Sequence, residues 1–134
     1  MAPRTALVVD DDASIVRFVK DVLTEEGFEV CGAPNGIVAG QYLAEHPDLT
    51  LLVTDVLMPD RDGNELILET LKARKRTGKR PRILAISGGG TFAGADLYLE
   101  SASVLGADLT LPKPFTDGQL RRAVAEIGLA PQDP

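Results

Sequence analysis

The 134-residue chain is 44% hydrophobic and 25% charged, with a net charge of −6 at pH 7, proportions that are typical of one soluble globular domain. The negative charge argues against nonspecific binding to nucleic acid or to anionic membranes as the main activity, and the sequence shows neither a signal peptide nor the roughly 18 uninterrupted apolar residues of a membrane span. Because the single cysteine, Cys31, excludes an internal disulfide and suits a reducing compartment, we expect one cytoplasmic domain over residues 1–134, with its core at about 4–128.

Five short apolar runs, rich in Val, Ile and Leu, recur along the chain. They occupy residues 5–9, 28–32, 49–54, 82–87 and 107–111. Each run is too short for a core helix and has the composition of a buried strand. The sequence therefore predicts five strands.

Helical patterns separate these strands. Residues 13–26 place apolar side chains three and four residues apart, as an amphipathic helix does, and Gly27 follows as a stop signal. Residues 117–127 repeat the pattern, and Thr116 and Gln119 have the spacing of a capping box.

The remaining helices are predicted from their capping residues. Asn35 can cap a helix that stops before Pro47, and Asn64 can cap one that runs to about Arg76. A less regular helical segment at about 92–105 begins in a glycine-rich stretch. Alternation of strands and helices implies a parallel sheet with helices on both faces, and right-handed crossovers make the sheet doubly wound. The predicted fold is α/β, with a doubly wound five-stranded parallel sheet.

Polar side chains collect at one edge of this predicted sheet, beyond the carboxyl ends of the strands, where such folds bind their ligands. They are Asp10 and Asp11 after the first strand, Asp55 at the end of the third, Ser87 at the end of the fourth and Lys113 after the fifth. Four of the five strands thus deliver a carboxylate, a hydroxyl or an ammonium group to the same edge.

These residue types are suited to phosphoryl transfer. Grouped carboxylates repel one another and need a cation, and their hard oxygen atoms suit Mg²⁺, which favours one or two protein carboxylates together with a phosphate oxygen. A lysine neutralises one phosphoryl oxygen and a hydroxyl donates a hydrogen bond to another. One of the carboxylates can attack phosphorus and form an acyl phosphate.

The segments "VVDDD", "TDVLMP", "ILAIS" and "LPKPF", in this order and spacing, resemble the receiver domain of two-component response regulators. The resemblance covers residues 4 to 128. Each motif alone is common, whereas the ordered set of four is specific. The resemblance implies a (βα)5 flavodoxin-like receiver fold.

The resemblance also implies roles for individual residues. Asp55 corresponds to the phospho-accepting aspartate of the family. Asp10 and Asp11 correspond to the acidic pair that binds Mg²⁺ or Mn²⁺, with Asp55 also at the metal. Leu57 would lend its backbone carbonyl to the ion, and its apolar side chain predicts slow self-dephosphorylation.

Three further positions correspond to the lysine and the switch of the family. Lys113 matches its lysine, and the bond between Lys113 and Pro114 matches a peptide bond that is usually cis. Ser87 stands at the position of a switch Ser or Thr. Thr110 stands where many receivers have Tyr or Phe, and its small hydroxyl side chain argues against aromatic-gated signalling through this face.

The function implied by the resemblance is that of a stand-alone phospho-accepting receiver. It would not be an enzyme beyond catalysing its own phosphorylation and dephosphorylation. The expected partners are a histidine kinase or a histidine phosphotransfer protein and an unknown downstream protein, with no nucleic acid and no membrane insertion.

Two alternatives remain open. The chain could be a receiver-like binding module that is not phosphorylated and is regulated by its partners alone. A less favoured alternative is a small phosphohydrolase with an aspartate nucleophile. Enzymes that resemble haloacid dehalogenases place this nucleophile after the first strand, as D-x-D, whereas Asp55 lies on the predicted third strand.

Several other residues have plainer interpretations. Residues 72–82 hold seven of the fourteen basic residues and no acid; they form either an anion or partner patch or, as we favour, a helix end whose cations suit its dipole, followed by a solvated loop. Asp12 is expected to complement the dipole of the helix at 13–26. We expect His46 to be a solvated loop residue and Cys31 to be a small buried hydrophobe.

Overall fold

The computed structural model describes residues 4–56, 63–77, 81–87 and 106–129, and its strands form one sheet. They are β1 (Arg4–Val9), β2 (Phe28–Ala33), β3 (Leu51–Asp55), β4 (Arg82–Ser87) and β5 (Leu109–Pro112). All neighbouring pairs are parallel, in the order β2-β1-β3-β4-β5. The chain thus adds β2 on one side of β1 and β3 on the other, so the winding reverses between β1 and β3. The predicted five-stranded, doubly wound parallel sheet is confirmed.

Four helices lie within the described residues. They are α1 (Ala13–Glu25), α2 (Gly36–Glu45), α3 (Gly63–Thr77) and α4 (Asp117–Glu126). The segment predicted as a helix at about 92–105 lies outside the described residues. Among the helices that the structure describes, none combines the length and the hydrophobicity needed to span a lipid bilayer.

The helix ends follow the capping chemistry with one exception. Asn35 accepts a hydrogen bond from the Val38 N–H at 2.9 Å and caps α2, as predicted. Gly27 follows α1 with a φ of 98°, a left-handed conformation that glycine adopts without steric cost. The prediction that Asn64 caps α3 is wrong, because the helix already begins at Gly63 and Asn64 lies in its first turn.

Two layers of helix cover the two faces of the sheet. On one face, α1 and α4 pack against β-strand residues such as Val8, Val53 and Ile86. On the other face, α2 and α3 pack against residues that alternate with these, such as Leu7 and Leu52. Because successive strand side chains point to opposite faces, β1, β3 and β4 must be apolar on both, which explains why the sequence shows continuous apolar runs there rather than alternation.

Cys31 corrects one expectation. It was predicted to be a buried small hydrophobe, but the structure places it in an exposed position on β2. The reason is the position of β2 at the edge of the sheet, where it pairs with β1 alone. Sequence composition identifies a strand but does not tell an edge strand from a central one.

The capping box of α4 provides a test of local stability. Thr116 Oγ1 accepts a hydrogen bond from the Gln119 N–H at 3.1 Å, and Gln119 Oε1 accepts one from the Thr116 N–H at 2.8 Å. We expect Thr116→Ala to lower the free energy of unfolding by about 1 kcal/mol, because one backbone N–H of the first turn loses its acceptor. Urea denaturation followed by circular dichroism measures the change.

Thr116→Ser is the matched control, since serine keeps the capping oxygen and should remain close to the parent protein. Equal stability of the alanine and serine variants would show that the box contributes nothing to the stability of α4.

Candidate functional site

The carboxyl edge of the sheet brings together three side chains that are far apart in the sequence. Asp10 follows β1, Asp55 ends β3 and Lys113 follows β5. The Lys113 Nζ lies 2.6 Å from Asp10 Oδ2 and 3.5 Å from Asp55 Oδ2. The lysine therefore bridges the two carboxylates that the neighbouring strands β1 and β3 deliver.

Asp10 is held in place at both of its carboxylate oxygens. Its Oδ1 accepts a hydrogen bond from the Asp12 N–H at 2.9 Å, and its Oδ2 accepts the bond from Lys113. Only 1% of the residue is exposed. The peptide bond between Lys113 and Pro114 is cis, as expected from the resemblance.

Burial and charge shift the pKa values of this group in a consistent way. Burial raises the pKa of the Asp10 carboxyl, and the opposing hydrogen bonds from Lys113 and the Asp12 N–H do not offset it. Burial by itself would lower the pKa of Lys113, but the hydrogen bond with Asp10 and the charges of Asp55 and Asp10 outweigh it, so the lysine pKa is raised. The ammonium thus has two negative partners, while the pKa of Asp10 stays raised because burial outweighs its hydrogen bonds.

A third carboxylate increases this imbalance. Asp10, Asp11 and Asp55 each place one carboxylate oxygen so that the three atoms lie within 4.8 Å of one another. Two of the three residues are buried and Asp11 is exposed. Among the residues that the structure describes at this edge, three carboxylates and one lysine carry two excess negative charges when all are ionised. A divalent cation would neutralise them.

The spacing of these oxygens suits a small cation. In an octahedron with Mg²⁺–oxygen distances of about 2.1 Å, two ligand oxygens lie about 3 Å apart when adjacent and about 4.2 Å apart when opposite. The 4.8 Å limit observed here is close to that range. Carboxylate oxygens are also the ligand type that Mg²⁺ and Mn²⁺ prefer. The donor set therefore fits a divalent ion of this kind.

Asp12, which follows Asp10 and Asp11 in the sequence, has a different role. Asp12 caps α1, because its Oδ1 accepts hydrogen bonds from the Ser14 N–H at 2.9 Å and from the Ser14 hydroxyl at 2.6 Å. These bonds lower the pKa of the Asp12 carboxyl. Its predicted role at the helix N-terminus is confirmed, and its oxygen is directed to the helix rather than to the other acids.

The remaining predicted site residues are placed only in part. Ser87 ends β4 opposite Pro112 of β5, and the structure describes its backbone position only. Leu57 lies outside the described residues. Thr110 is half-buried on β5 beside Ala85, on the face opposite to Leu109 and Leu111.

An interaction that the sequence did not reveal lies at the other end of β4 and β5. Asp108 Oδ2 accepts hydrogen bonds from the Ile83 N–H at 2.7 Å and from Arg74 Nη2 at 3.1 Å. Arg82 approaches the same carboxylate at 3.9 Å. Two cations of the basic segment 72–82 thus have a structural task, and no local motif signals it because Arg74 and Asp108 are 34 residues apart.

Comparisons with known proteins agree with this geometry. A family model described as "Response regulator receiver domain" matches residues 6–125. The transcriptional regulatory protein CpxR of Escherichia coli (strain K12) is 40% identical over 121 residues, which are 90% of this chain and 47% of CpxR. A chemotaxis protein CheY homolog of Campylobacter jejuni subsp. jejuni is 31% identical over 122 residues, 90% of this chain and 89% of that protein.

The crystal structure of a response regulator receiver domain protein from Clostridium thermocellum has a TM-score of 0.74 at 26% identity. The match covers 92% of this chain and 93% of that one. The chain spans about half the length of the CpxR proteins that it matches.

The bridging position of Lys113 predicts a pH-dependent loss of stability in Lys113→Met. Without the ammonium, Asp10 faces the Asp55 carboxylate with no cation between them, so the pKa of Asp10, which is already raised, rises further in the folded state. An acid whose folded pKa is raised destabilises the fold above that pKa, and the loss disappears as the acid becomes protonated at lower pH. We expect a loss of about 3 kcal/mol at neutral pH and a smaller loss near pH 4.5.

Urea denaturation at both pH values, in the presence of EDTA, measures this difference. The control is Lys20→Met, which removes an exposed lysine of α1 and should have little effect at either pH. A loss for Lys113→Met that is the same at both pH values would show that Lys113 stabilises the fold by packing and not by its charge.

Proposed function

This chain belongs to the response regulator receiver domain family, and on that premise we propose that it accepts a phosphoryl group on Asp55. Receivers of this family act in two-component signalling, with histidine kinases or phosphotransfer proteins as partners. The observation that carries the proposal is the convergence of Lys113 with three carboxylates at the carboxyl edge of the sheet.

Asp55 is the proposed nucleophile. One of its carboxylate oxygens attacks the phosphorus of a phosphohistidine on the donor protein, so that a P–O bond forms while the P–N bond breaks. The electron pair of that bond returns to the imidazole nitrogen, which takes a proton from solvent. The product is an acyl phosphate on Asp55. The 4% exposure of Asp55 supports this role, since a nearly buried carboxylate is weakly hydrated.

The acidic cluster would hold a divalent cation for this reaction. Asp10 and Asp11 are the proposed ligands, together with Asp55 and the backbone carbonyl of Leu57. A bound Mg²⁺ or Mn²⁺ ion supplies positive charge to the oxygens of the transferring phosphoryl group. The excess of carboxylates over lysine among the described residues of the cluster supports a divalent ion.

Lys113 is the second proposed source of positive charge. Its Nζ already lies within 3.5 Å of an Asp55 oxygen, and the raised pKa keeps it protonated. A phosphoryl group on Asp55 would bring new anionic oxygens within reach of this ammonium, and Lys113 would pair with one of them.

The response to phosphorylation is proposed to pass through the end of β4. The Ser87 hydroxyl would donate a hydrogen bond to a phosphoryl oxygen and draw the adjoining chain toward the site. Thr110, on the neighbouring strand, would take the second switch position without the swing of an aromatic ring. The surface altered in this way would bind a downstream protein, and it is this change in binding that would carry the signal.

Phosphorylation of Asp55 can be tested directly by intact mass. Incubation with Mg²⁺ and phosphoramidate or acetyl phosphate, or with a phosphorylated histidine phosphotransfer protein, should add one phosphoryl group. Asp55→Asn should add none, because its amide is not a nucleophile toward phosphorus. Asp12→Asn is the matched control, since asparagine also caps helices well, and it should be modified like the parent protein.

Absence of modification by every donor would contradict the proposal, as would full modification of Asp55→Asn. The first result would favour a receiver-like module that is regulated by its partners alone.

Cation binding has a separate readout in thermal or urea stability. An ion that binds only the folded chain stabilises it by about 1.4 kcal/mol at ten times its dissociation constant. Mg²⁺ should therefore stabilise the parent protein and Asp12→Asn, and it should stabilise Asp11→Asn much less. Equal stabilisation of all three proteins would place the ion away from the acidic cluster.

A further inference from the structure

A cleft of about 430 Å³ lies at the amino edge of the sheet, opposite to the acidic cluster. It is formed by the C-terminal halves of α2 and α3 and by the segments that lead into β3 and β4. Leu49 of the cleft precedes Asp55 by six positions along the extended chain, which corresponds to roughly 20 Å at about 3.3 Å per residue. The cleft therefore shares no residue with the proposed phosphorylation site.

The interior of the cleft is mostly apolar, with Thr70 and His46 as polar members of its lining. Its surface includes Leu43, Ala44 and Ala73 from the two helices, and Leu49 and Pro81 from the segments before the strands. Leu49 and Pro81 are buried in the fold, so they form a fixed floor. A volume of this size is within the range of small-molecule sites, which are mostly apolar with a few polar groups at one end.

The rim of the cleft is cationic. Lys72, Arg74 and Arg76 line it, with Glu69 as the acid among the same residues. Arg74 is held by Asp108 and by the Pro81 carbonyl, so it forms part of the wall. Lys72 and Arg76 are exposed, and the ion pairs found among the described residues do not include them. These two cations are available to a ligand.

The helix dipole accounts for only part of this charge. The last turn of α3 holds Arg74, Lys75 and Arg76, whereas the C-terminus of a helix carries about half a negative charge. A surplus of positive charge at this place is notable in a chain whose net charge is −6. The apolar floor lies beside the exposed cations Lys72 and Arg76. Such a cleft is complementary to a molecule with an apolar body and one anionic end.

We propose that this cleft binds a small amphipathic carboxylate. Its apolar body would lie on Leu43, Leu49 and Pro81, and its carboxylate would pair with Arg76 and Lys72 at the rim. The planar guanidinium of arginine matches the two oxygens of a carboxylate. Because α2, α3 and the start of β3 all contribute, occupation of the cleft would link these elements on the face of the sheet away from α1 and α4.

The test uses biphenyl-4-carboxylate as the probe and the neutral biphenyl-4-carboxamide as its isostere. Both are titrated into the ¹⁵N-labelled full chain without Mg²⁺ or phosphodonor, so the result is independent of phosphorylation. We expect saturable shifts of backbone amides in residues 40–49 and 69–76. The carboxamide should bind at least five-fold more weakly than the carboxylate.

Two double variants test whether the carboxylate pairs with the rim cations or is attracted by positive charge anywhere on the protein. Lys72→Ala/Arg76→Ala should weaken binding of the carboxylate at least five-fold and leave the carboxamide unchanged. Arg17→Ala/Lys20→Ala removes the same charge from exposed positions on α1 and should leave both affinities unchanged. Circular dichroism checks that each variant is folded.

Any one of four results would overturn the proposal. The first is the absence of saturable shifts at the cleft, and the second is clustering of the shifts elsewhere. The third is equal affinity for carboxylate and carboxamide, which would identify an apolar slot that does not select an anion. A loss of binding in the α1 variant equal to that in the rim variant would likewise remove the role of Lys72 and Arg76.

Discussion

The pairing of β1 with β3 in the middle of the sheet determines where the chemistry of this protein lies. Both strands are buried on both faces, by α1 and α4 on one side and by α2 and α3 on the other. Their register places Val9 beside Thr54, so Asp10 and Asp55 follow at the same level. Two carboxylates are thereby forced together in a place where water reaches them poorly.

Such an arrangement is stable only with countercharge. Lys113 supplies one positive charge, but Asp10 keeps a raised pKa despite its bond to the lysine. A buried ion pair of this kind adds little stability in itself, since the cost of desolvation is close to the gain in attraction. Under the proposed function, the remaining negative charge is what would attract a divalent cation to this edge and support phosphoryl transfer there.

The two edges of the sheet differ in charge and in construction. At the carboxyl edge, acids from two strands meet one lysine that follows a third. At the amino edge, Asp108 joins Arg74 to the start of β4, and the same arginine forms a wall of the cationic cleft. The two proposed sites therefore differ in the ligand that each would bind, and the central strands lie between them. An ion on one side and a carboxylate on the other would not compete for any residue.

Much of the fold could be predicted from the sequence because it depends on local patterns. The apolar runs predict the strands, the caps at Asn35 and Thr116 mark two helix starts, and alternation of the elements predicts the parallel sheet. The acids and the lysine of the candidate site were also found, because a parallel sheet brings its carboxyl ends to one edge whatever the strand order.

Only the tertiary structure determined those features that depend on contacts between residues distant in the sequence. The exposure of Cys31 follows from the edge position of β2, which its composition does not reveal. The bond between Arg74 and Asp108, and the meeting of α2 with α3 around a cleft, join segments with no shared motif. The raised pKa of Asp10 also depends on the packed structure, because burial causes it. Hydrophobic period and capping are properties of a few adjacent residues, whereas burial, charge balance and cavities arise only when the whole chain has packed.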